Sequence, residues 1–585
     1  MKKILYKSGN LIKLLAVTLF LPFLSGCNSI LDDVENLSQI PPEKVWGSES
    51  LANAYLANLY SSSMPGWPTN QGRFVDECGP SVVTADLVTS QNGNFKSWSY
   101  TSIRKINVLL DEIDDGTLDE KIRNPIKGQA YFLRANNYFS MVSNHGGVPI
   151  IKSPQGLDGE LMVPRNSTAE CFDFIIADLD SAYNLLPNRY VGDNFGRIDK
   201  ATVLAFKGRV LLHKASPQFN PNTPYDNKYW KDAYDANLKA KNSLAEWGFK
   251  LIDNYDDIFK VEQNDEVVMA TVYVYPGKTN GRKEDAVRPL SESKNDTGSD
   301  QPIWSFVEAY SMLDGKDVGK SDKYAYDVQT FWENRDPRFY STVVYNGSLF
   351  ELSNKTGRYQ YTSYDLVASN LVNVDDVFGD KQTFGRTGFY CKKGLELNLL
   401  AEAATSNSTD WVEIRYAEVL LNYAEAANET GRSAEAFEVL KSIRKRAGIE
   451  EGPDGTYGLG TGLNKEQMRT AILAERRIEF AFEGKRFDDL RRHRLWHLLD
   501  NTRKYGVEAF VKDEFKKPDG SFTKNKFEAN DFTYTVREVI IDGVPEMIIP
   551  ESYYFFPIRK SDIEKNPKLM QNKGWDGGAF DPTLH

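Results

Sequence analysis

Two glutamates one helical turn apart are the first candidates for acid–base chemistry in this sequence. Glu475 and Glu479 lie in a helical pattern, and a pair of carboxyl groups is the arrangement that hydrolyses a glycosidic bond. Arg476 and Arg477 stand between them. A neighbouring guanidinium keeps a carboxylate ionised, whereas a general acid needs a raised pKa. The pattern therefore favours structural ion pairs over catalysis.

Other signatures of enzymes are incomplete. His493 and His497 are four residues apart, but no glutamate stands beside them as in a zinc protease, and the chain has only five histidines. The glycine-rich run at 458–462 lacks the preceding strand and the spacing of a dinucleotide-binding loop, so it reads as a connection, with Asn464 as the N-cap of the next helix. The run Arg335-Asp336-Pro337-Arg338 reads as a turn with an ion pair. We therefore predict no catalytic residue, no metal site and no cofactor.

A cysteine at the end of the N-terminal apolar segment is a candidate for covalent lipid attachment. Four lysines accompany the apolar residues 14–24, and Ser25 and Gly26 directly precede Cys27. This is the layout of a secretory signal peptide, and its apolar core is too short to span a bilayer. Small residues before a cysteine resemble the lipobox of bacterial lipoproteins, in which the thiol receives diacylglycerol. The alternative is an ordinary signal peptide with an incidental cysteine.

Cleavage before Cys27 predicts a signal peptide at 1–26, a lipidated tether at 27–48 and a folded domain at 49–585. We divide this domain into an N-terminal part at about 49–300 and a C-terminal part at about 301–585. Removal of the four lysines changes the net charge from −11 to −15. An acidic surface argues against nucleic acid as a partner and against electrostatic binding to anionic lipid.

The remaining cysteines are Cys78, Cys171 and Cys391. Three thiols allow at most one disulfide, and their wide spacing matches no metal-binding motif. Buried thiols without a disulfide are the other interpretation.

Hydrophobic periodicity predicts an all-α fold. Apolar residues at three- and four-residue spacing predict helices at 49–60, 101–113, 120–143, 168–186, 199–215, 230–246, 410–430, 433–447 and 464–483. In the clearest pair, Gly431 ends one helix and Ser433 is the expected N-cap of the next. In another, Thr168 is the expected N-cap of its helix. Such pairs resemble tetratricopeptide hairpins, so we expect an irregular α/α superhelix.

Long loop-rich insertions interrupt these hairpins at about 61–100, 216–229, 272–300, 311–328 and 345–408. Long loops in a compact protein are usually functional. We therefore expect a large loop-rich region that binds a ligand.

An ordered set of short motifs carries a family resemblance across essentially the whole mature chain. Beyond the lipobox, these are YFLRANNYF at 131–139, GGVPI at 146–150, RDPRF at 335–339, RYAEVLL at 415–421, ERRIEF at 475–480, EGKRFDDL at 483–490, FPI at 556–558 and QNKGW at 571–575. In this order the set resembles the SusD/RagB family of nutrient-uptake lipoproteins of Bacteroidetes.

The resemblance implies a function as well as a fold. Members of this family are cell-surface, non-enzymatic glycan-binding lipoproteins, anchored in the outer membrane by the N-terminal lipid. Each acts as the lid of a SusC-like TonB-dependent transporter: it captures an oligosaccharide and closes over the barrel. The resemblance therefore implies a glycan ligand and a SusC-like transporter as partners of this chain.

Sugar capture requires flat aromatic faces against the pyranose ring, with polar groups at the edges to bind hydroxyls. The family's binding aromatics lie on variable loops, so we chose candidates by their position in loops alone. These are Trp67, Arg73, Asp76, Asn92, Trp98, Tyr100, Trp304 and Tyr310, of which the cluster from Trp67 to Trp98 is preferred. For each tryptophan, packing in the core is the alternative.

Two other functions remain open from the sequence. A surface-anchored glycoside hydrolase would need a carboxylate pair about 5–10 Å apart flanking a sugar site. A helical-repeat adaptor that binds only proteins would bury its tryptophans and have no affinity for glycans. The sequence does not name the ligand, which could also be a peptide. The acidic net charge disfavours a highly sulfated glycan, whereas arginines such as Arg73 could bind a uronic acid.

Overall fold

The computed structural model describes residues 42–584, apart from 69–70, 80–81, 93–94, 96–97, 157–158, 281–283, 294–298, 364, 367–377, 380–386 and 540–545. Cys27, the expected signal peptide and most of the expected tether lie outside the described residues. None of the helices within the described ranges combines the length and the apolar character needed to cross a bilayer.

The fold is mainly helical, as predicted. The helices are α1 Pro42–Trp46, α2 Glu49–Ser63, α3 Tyr100–Glu112, α4 Glu120–His145, α5 Thr168–Leu185, α6 Lys200–Ala215, α7 Tyr229–Glu246, α8 Glu284–Val287, α9 Trp304–Ala309, α10 Pro337–Thr342, α11 Tyr416–Glu429, α12 Ser433–Ala447, α13 Lys465–Glu479, α14 Lys485–Arg492 and α15 Lys560–Lys565. Consecutive long helices pack in pairs, α4 with α5, α6 with α7 and α11 with α12, and α7 also packs on α11. The tetratricopeptide character of these pairs stays a prediction.

Polar side chains define where the helices begin. Ser167 caps α5 in a reciprocal capping box with Glu170, so the N-cap lies one residue before the predicted Thr168. Asn464 caps α13 with a second capping box, as predicted. Gly431 has a φ of 81°, the left-handed conformation that lets the chain turn from α11 into α12.

The predicted helix at 410–430 is wrong in its first residues. Residues 411–415 form strand β9, and α11 begins only at Tyr416. This segment pairs antiparallel with strand β2, Val267–Thr271, with Trp411 opposite Thr271 and Arg415 opposite Val267. The apolar spacing that predicted this helix continues into residues 411–415, but their backbone groups bond to another strand instead.

The other strands are short and scattered among the loops. They are β1 Cys78–Gly79, β3 Gln301–Pro302, β4 Val343–Val344, β5 Ser348–Leu349, β6 Tyr359–Tyr361, β7 Phe378–Gly379, β8 Tyr390–Cys391, β10 Tyr505–Val511 and β11 Phe532–Glu538. β1 pairs with β3, β4 with β8, and β10 with β11, all antiparallel; β6 joins β5 antiparallel and β7 parallel. These strands tie distant insertions together.

The largest apolar cluster of the described core lies mainly among the N-terminal helices, and two others are nearly as extensive as each other. One of these lies between α6, α7, α11, α12 and α13, and the other between α9 and the β10–β11 hairpin. Cys78, Cys171 and Cys391 are buried thiols, and no disulfide joins them in the described structure.

A buried ion network joins the C-terminal helices to the β2–β9 sheet. Arg415 bonds Glu266 at 2.7 Å, Glu479 at 2.6 Å and Glu483 at 2.9 Å, and all four side chains are almost completely inaccessible. Arg338 contacts Glu479 from the opposite side at 2.8 Å. Pairing of this kind compensates the desolvation of each charge, so the loss of one member leaves its partner buried and unpaired.

Candidate functional site

An exposed hairpin rich in tyrosine follows strand β2. Residues 272–279, here called the tyrosine hairpin, turn back through a bridge between Val274 and Lys278. Tyr275 is 66% exposed and Val274 63% exposed, whereas Thr271 and Asn280 at the two ends are buried. Val274 and Tyr275 are adjacent, and neighbouring exposed apolar side chains are candidates for a contact area.

Two neighbouring segments hold the hairpin in place. The Tyr273 backbone N–H donates to Asp410 Oδ1 at 2.8 Å, and the Asn280 backbone N–H donates to the Asn407 carbonyl at 3.0 Å. On the other side, the Thr271 hydroxyl donates to the Pro65 carbonyl. The tyrosine hairpin therefore stands on fixed anchors at 65–68 and 407–410.

A cleft of about 430 Å³ opens beside the hairpin, between β9 and the segment at 258–263. We call it the β9 cleft. Phe195, Phe259 and Leu395 give it apolar walls. Polar side chains line the rest, namely Lys260, Glu262, Gln263, Glu396, Asn398, Ser408, Thr409 and Asp410. Apolar walls with a few polar groups are the usual composition of a ligand site.

A second depression, the α2 groove, has a volume of about 320 Å³ and lies against helix α2. Its apolar residues include Leu56, Met64 and Val272, the last from the tyrosine hairpin. Its polar residues include Asn53, Ser61, Asp193, Arg197 and Lys278. Phe195 lines both the β9 cleft and the α2 groove, so the two depressions adjoin.

Two titratable groups at the foot of the hairpin have perturbed pKa values. Burial raises the pKa of Asp410 to about 6, and the charge of Glu262 adds to this effect, while the bond from the Tyr273 N–H opposes it. Burial lowers the pKa of Lys278, and the charge of Asp410 partly offsets this. The Lys278 ammonium lies 5.0 Å from the centre of the Tyr273 ring, within the range of a cation–π contact.

The preferred candidate, Trp67, supports this site from below. Its ring is 9% exposed and packs on Trp411 and Phe259, with ring centres at 5.0 and 5.4 Å. Its Nε1–H donates to the Thr409 carbonyl at 2.9 Å. The expectation of an exposed platform is therefore wrong for Trp67, because its loop folds onto the 407–410 anchor and its ring fills the space beneath.

Arg73 and Asp76 lie in other contacts. Arg73 is half-buried over the Phe74 ring. Asp76 pairs with Arg486 at 2.9 Å and Arg477 at 3.1 Å, which holds its pKa well below the usual range despite burial. Asp76 therefore joins the N-terminal loop to the C-terminal helices.

Asn92, Trp98 and Tyr100 form a separate group. Asn92 is exposed, and its side chain closes a turn by bonding the Leu87 carbonyl at 3.0 Å. Trp98 is half-buried with its ring against Tyr100, and the Tyr100 hydroxyl donates to the Pro149 carbonyl at 2.7 Å. Their part in ligand binding stays a prediction.

Trp304 and Tyr310 are core residues. Trp304 is 6% exposed and packs on Phe331 and Phe389, and Tyr310 is completely buried against Phe306. The expectation of exposure is wrong here because helix α9 turns these rings inward, into the cluster beside β10 and β11.

Of the eight predicted residues, only Trp67 bonds directly to an anchor of the tyrosine hairpin. Tyr273 and Tyr275 are not among the predicted site residues, although both lie in the insertion predicted at 272–300. The available signal was the alternation Val272-Tyr273-Val274-Tyr275 directly before Pro276-Gly277, which is typical of a strand running into an exposed turn.

The carboxylate pair considered for catalysis lies in the buried ion network. Glu479 bonds Arg415, and its pKa is well below its usual range because three arginines surround it. Arg338 and Arg444 similarly lower the pKa of Glu475. Neither group is placed to donate a proton. Within the described ranges, no three side chains of His, Cys, Asp and Glu come together as a metal site.

Comparisons with known proteins agree with this fold. The pattern of the SusD family matches residues 265–575, and a family described as starch-binding and associating with the outer membrane matches residues 44–212. A SusD-like protein of Formosa agariphila, P38, is 25% identical over 81% of this chain and 89% of its own length. A SusD-like protein of Bacteroides ovatus is 24% identical over 84% of this chain and 83% of its own length.

Solved structures share the architecture. A SusD-like protein of Bacteroides fragilis superposes with a TM-score of 0.71 at 25% identity, covering 92% of this chain and 100% of that chain. A laminarin-binding SusD-like protein superposes with a TM-score of 0.55 at 20% identity, covering 90% of this chain and all of its own. The matched pattern spans more than half of this sequence, and the chain belongs to the SusD/RagB family.

Proposed function

We propose that this protein is a non-enzymatic, glycan-binding lipoprotein of the outer membrane. It captures oligosaccharides at the tyrosine hairpin and delivers them to a SusC-like TonB-dependent transporter. The observation that carries the proposal is an exposed aromatic hairpin held between two depressions with apolar walls and polar edges.

The chemistry of the site matches a sugar. Tyr275 offers a flat apolar face, which packs against the C–H groups of a pyranose ring. Gln263 and Asn398 at the β9 cleft carry amides that both donate and accept hydrogen bonds, as sugar hydroxyls do. The laminarin-binding protein of the same fold supports a glycan ligand.

One feature supports binding without turnover. The carboxylate pair considered from the sequence, Glu475 and Glu479, is held ionised by arginines. Asp410 and Glu262 both line the β9 cleft, and the assay for reducing ends below tests whether they hydrolyse a glycan there.

The binding function is tested with the soluble form, residues 28–585, by isothermal titration calorimetry against neutral and charged polysaccharides and their oligomers. We expect saturable binding to at least one glycan and no release of reducing ends on prolonged incubation. Release of reducing ends would establish an enzyme, and the absence of binding to every glycan and oligomer would contradict the proposal.

Membrane attachment and delivery are tested on the full chain in its native outer membrane. We expect the Cys27→Ser variant to be absent from the membrane fraction. We expect the wild-type chain to co-purify with a TonB-dependent transporter. A serine variant that stays with the membrane would contradict the lipid anchor, and purification without a transporter would contradict delivery.

A further inference from the structure

We infer that the α2 groove selects glycans that carry an anionic substituent, a carboxylate or a sulfate ester, bound jointly by Arg197 and Lys278. The inference rests on the proposed glycan-binding function and adds the chemical class of the ligand. Two cations face this groove, and neither lies within ion-pair distance of a described carboxylate, although the charge of Asp410 acts on Lys278.

Neither cation forms an ion pair with any described residue. Arg197 is exposed, and its Nη1 donates to the neutral Asn53 Oδ1 at 3.2 Å. Lys278 is also exposed, and its ammonium lies over the face of the Tyr273 ring. Both side chains therefore keep donors available toward the groove that they line.

Two other cations near the groove, Lys260 and Arg189, each form an ion pair with a carboxylate. Lys260, in the β9 cleft, lies 3.4 Å from an Asp256 carboxylate oxygen. Arg189, in the depression next to it, lies 3.2 Å from Asp265. Lys260 and Arg189 are thus paired with carboxylates of the protein itself, whereas Lys278 and Arg197, which lines the depression of Arg189 as well as the α2 groove, form no such ion pair with a described residue.

Charge is also distributed unequally on the two sides of the hairpin. Glu262, Glu396 and Asp410 line the β9 cleft. The acid that lines the α2 groove is Asp193, on an exposed turn, against the two cations Arg197 and Lys278. The groove therefore has an excess of one positive charge and the cleft an excess of negative charge. An anionic ligand is favoured on the groove side.

The two cations offer different and complementary donors to an anion. A guanidinium presents parallel N–H groups that match the oxygens of a carboxylate or sulfate, and an ammonium adds a compact charge. Because burial lowers the pKa of Lys278, a ligand anion next to it stabilises the charged form that burial disfavours. Leu56 and Val272 in the same groove supply apolar contacts for the sugar ring.

The negative net charge of the chain does not oppose this selection. Charges farther away than about 8 Å are largely screened at physiological ionic strength. The groups that line the groove therefore determine the electrostatic potential at a bound ligand. The sequence-based expectation that net charge disfavours a sulfated ligand is therefore replaced by the local excess of positive charge.

The inference is tested by titrating the soluble form with alginate oligomers, which carry carboxylates, carrageenan oligomers, which carry sulfate esters, and neutral laminarin oligomers. The variants are Arg197→Gln, Lys278→Gln and their combination. Lys260→Gln is the matched control, because it removes a charge from the adjoining cleft. We expect at least one anionic oligomer to bind more tightly than laminarin and the double variant to lose about tenfold or more in affinity for it.

The other outcomes separate the two proposals. If laminarin binds as well as both anionic oligomers, or if Lys260→Gln weakens anionic binding as much as the double variant, the inference fails and the glycan-binding function stands. If none of the three oligomers binds but another glycan of the wider panel does, the inference fails and the glycan-binding function stands; if no glycan of the panel binds, both fail. Tighter binding of the alginate oligomer identifies the substituent as a carboxylate, and tighter binding of the carrageenan oligomer identifies it as a sulfate ester.

Discussion

Asp410 accepts a hydrogen bond from the backbone N–H of Tyr273 at 2.8 Å, and this bond joins the tyrosine hairpin to the loop that precedes β9. Asp410 is 8% exposed, so its carboxylate has few water molecules to replace this partner. The same group lines the β9 cleft. The bond thus connects the position of the aromatic surface to the chemistry of the cleft beside it.

We predict that Asp410→Asn changes how stability depends on pH. Burial raises the pKa of Asp410 to about 6, above the value of about 3.9 in an unfolded chain. The folded protein therefore binds more protons than the unfolded one between these values, and its free energy of unfolding falls as pH rises through this window. Asparagine can still accept from the Tyr273 N–H but does not titrate.

Thermal unfolding of both proteins at pH 4, 5, 6 and 7 measures the effect. We expect the midpoint of the variant to rise relative to the wild type as pH increases. A constant difference across the series would show that Asp410 titrates normally.

For Trp67, replacement should affect stability rather than the ligand contact itself. Trp67→Ala removes a buried ring and its bond to Thr409, and we expect a loss of about 3–5 kcal/mol in the free energy of unfolding. Trp67→Phe keeps an aromatic ring against Trp411 and should lose less. Urea denaturation measures both variants. If Trp67→Ala keeps the denaturation midpoint of the wild type but no longer binds glycan, Trp67 contacts the ligand and this prediction is wrong.

How far the sequence could predict the site is clear from this tryptophan and the two tyrosines. The sequence predicted that 61–100 and 272–300 are mainly loops, because turn residues and interrupted periodicity are local signals. Whether a ring in a loop points outward depends on distant segments. Trp67 is covered by residues more than 300 positions away, at Thr409 and Trp411. No local pattern contains that information.

The sequence predicts the helices of the fold better than it predicts the residues of the site. Capping residues and apolar stripes placed α5, α6 and α12 within about one residue of their bounds, since these signals are local. Helix α13 begins as predicted but ends at Glu479, four residues before the predicted end at 483, and Ser433 is the first residue of α12 and not its N-cap. The error at 411–415 has the opposite cause. Strand β9 exists because Val267–Thr271 lies beside it, and a short apolar run does not distinguish strand from helix without its partner.

Removing one cation from the buried network should be far more costly than removing one from the surface. Arg415→Met leaves Glu266, Glu479 and Glu483 with an uncompensated buried charge, and we expect a loss of about 3–5 kcal/mol in the free energy of unfolding. Lys231→Ala removes the exposed partner of Asp235 and should cost less than about 1 kcal/mol. Urea denaturation compares the two. Equal losses would contradict a structural role for the network.

The most direct test of the central claim is the glycan affinity of Tyr275→Ala, measured by isothermal titration against the glycan that the wild type binds. Tyr505→Ala is the matched control, because Tyr505 is also exposed, at 42%, but lies on strand β10 and lines neither the β9 cleft nor the α2 groove. Since Tyr275 is mostly exposed, we expect both variants to keep the thermal midpoint of the wild type. A lost aromatic contact of about 1.5–3 kcal/mol predicts a decrease of about tenfold or more in affinity for Tyr275→Ala and no change for Tyr505→Ala. Wild-type affinity in Tyr275→Ala would contradict the assignment of the tyrosine hairpin as the glycan-binding surface.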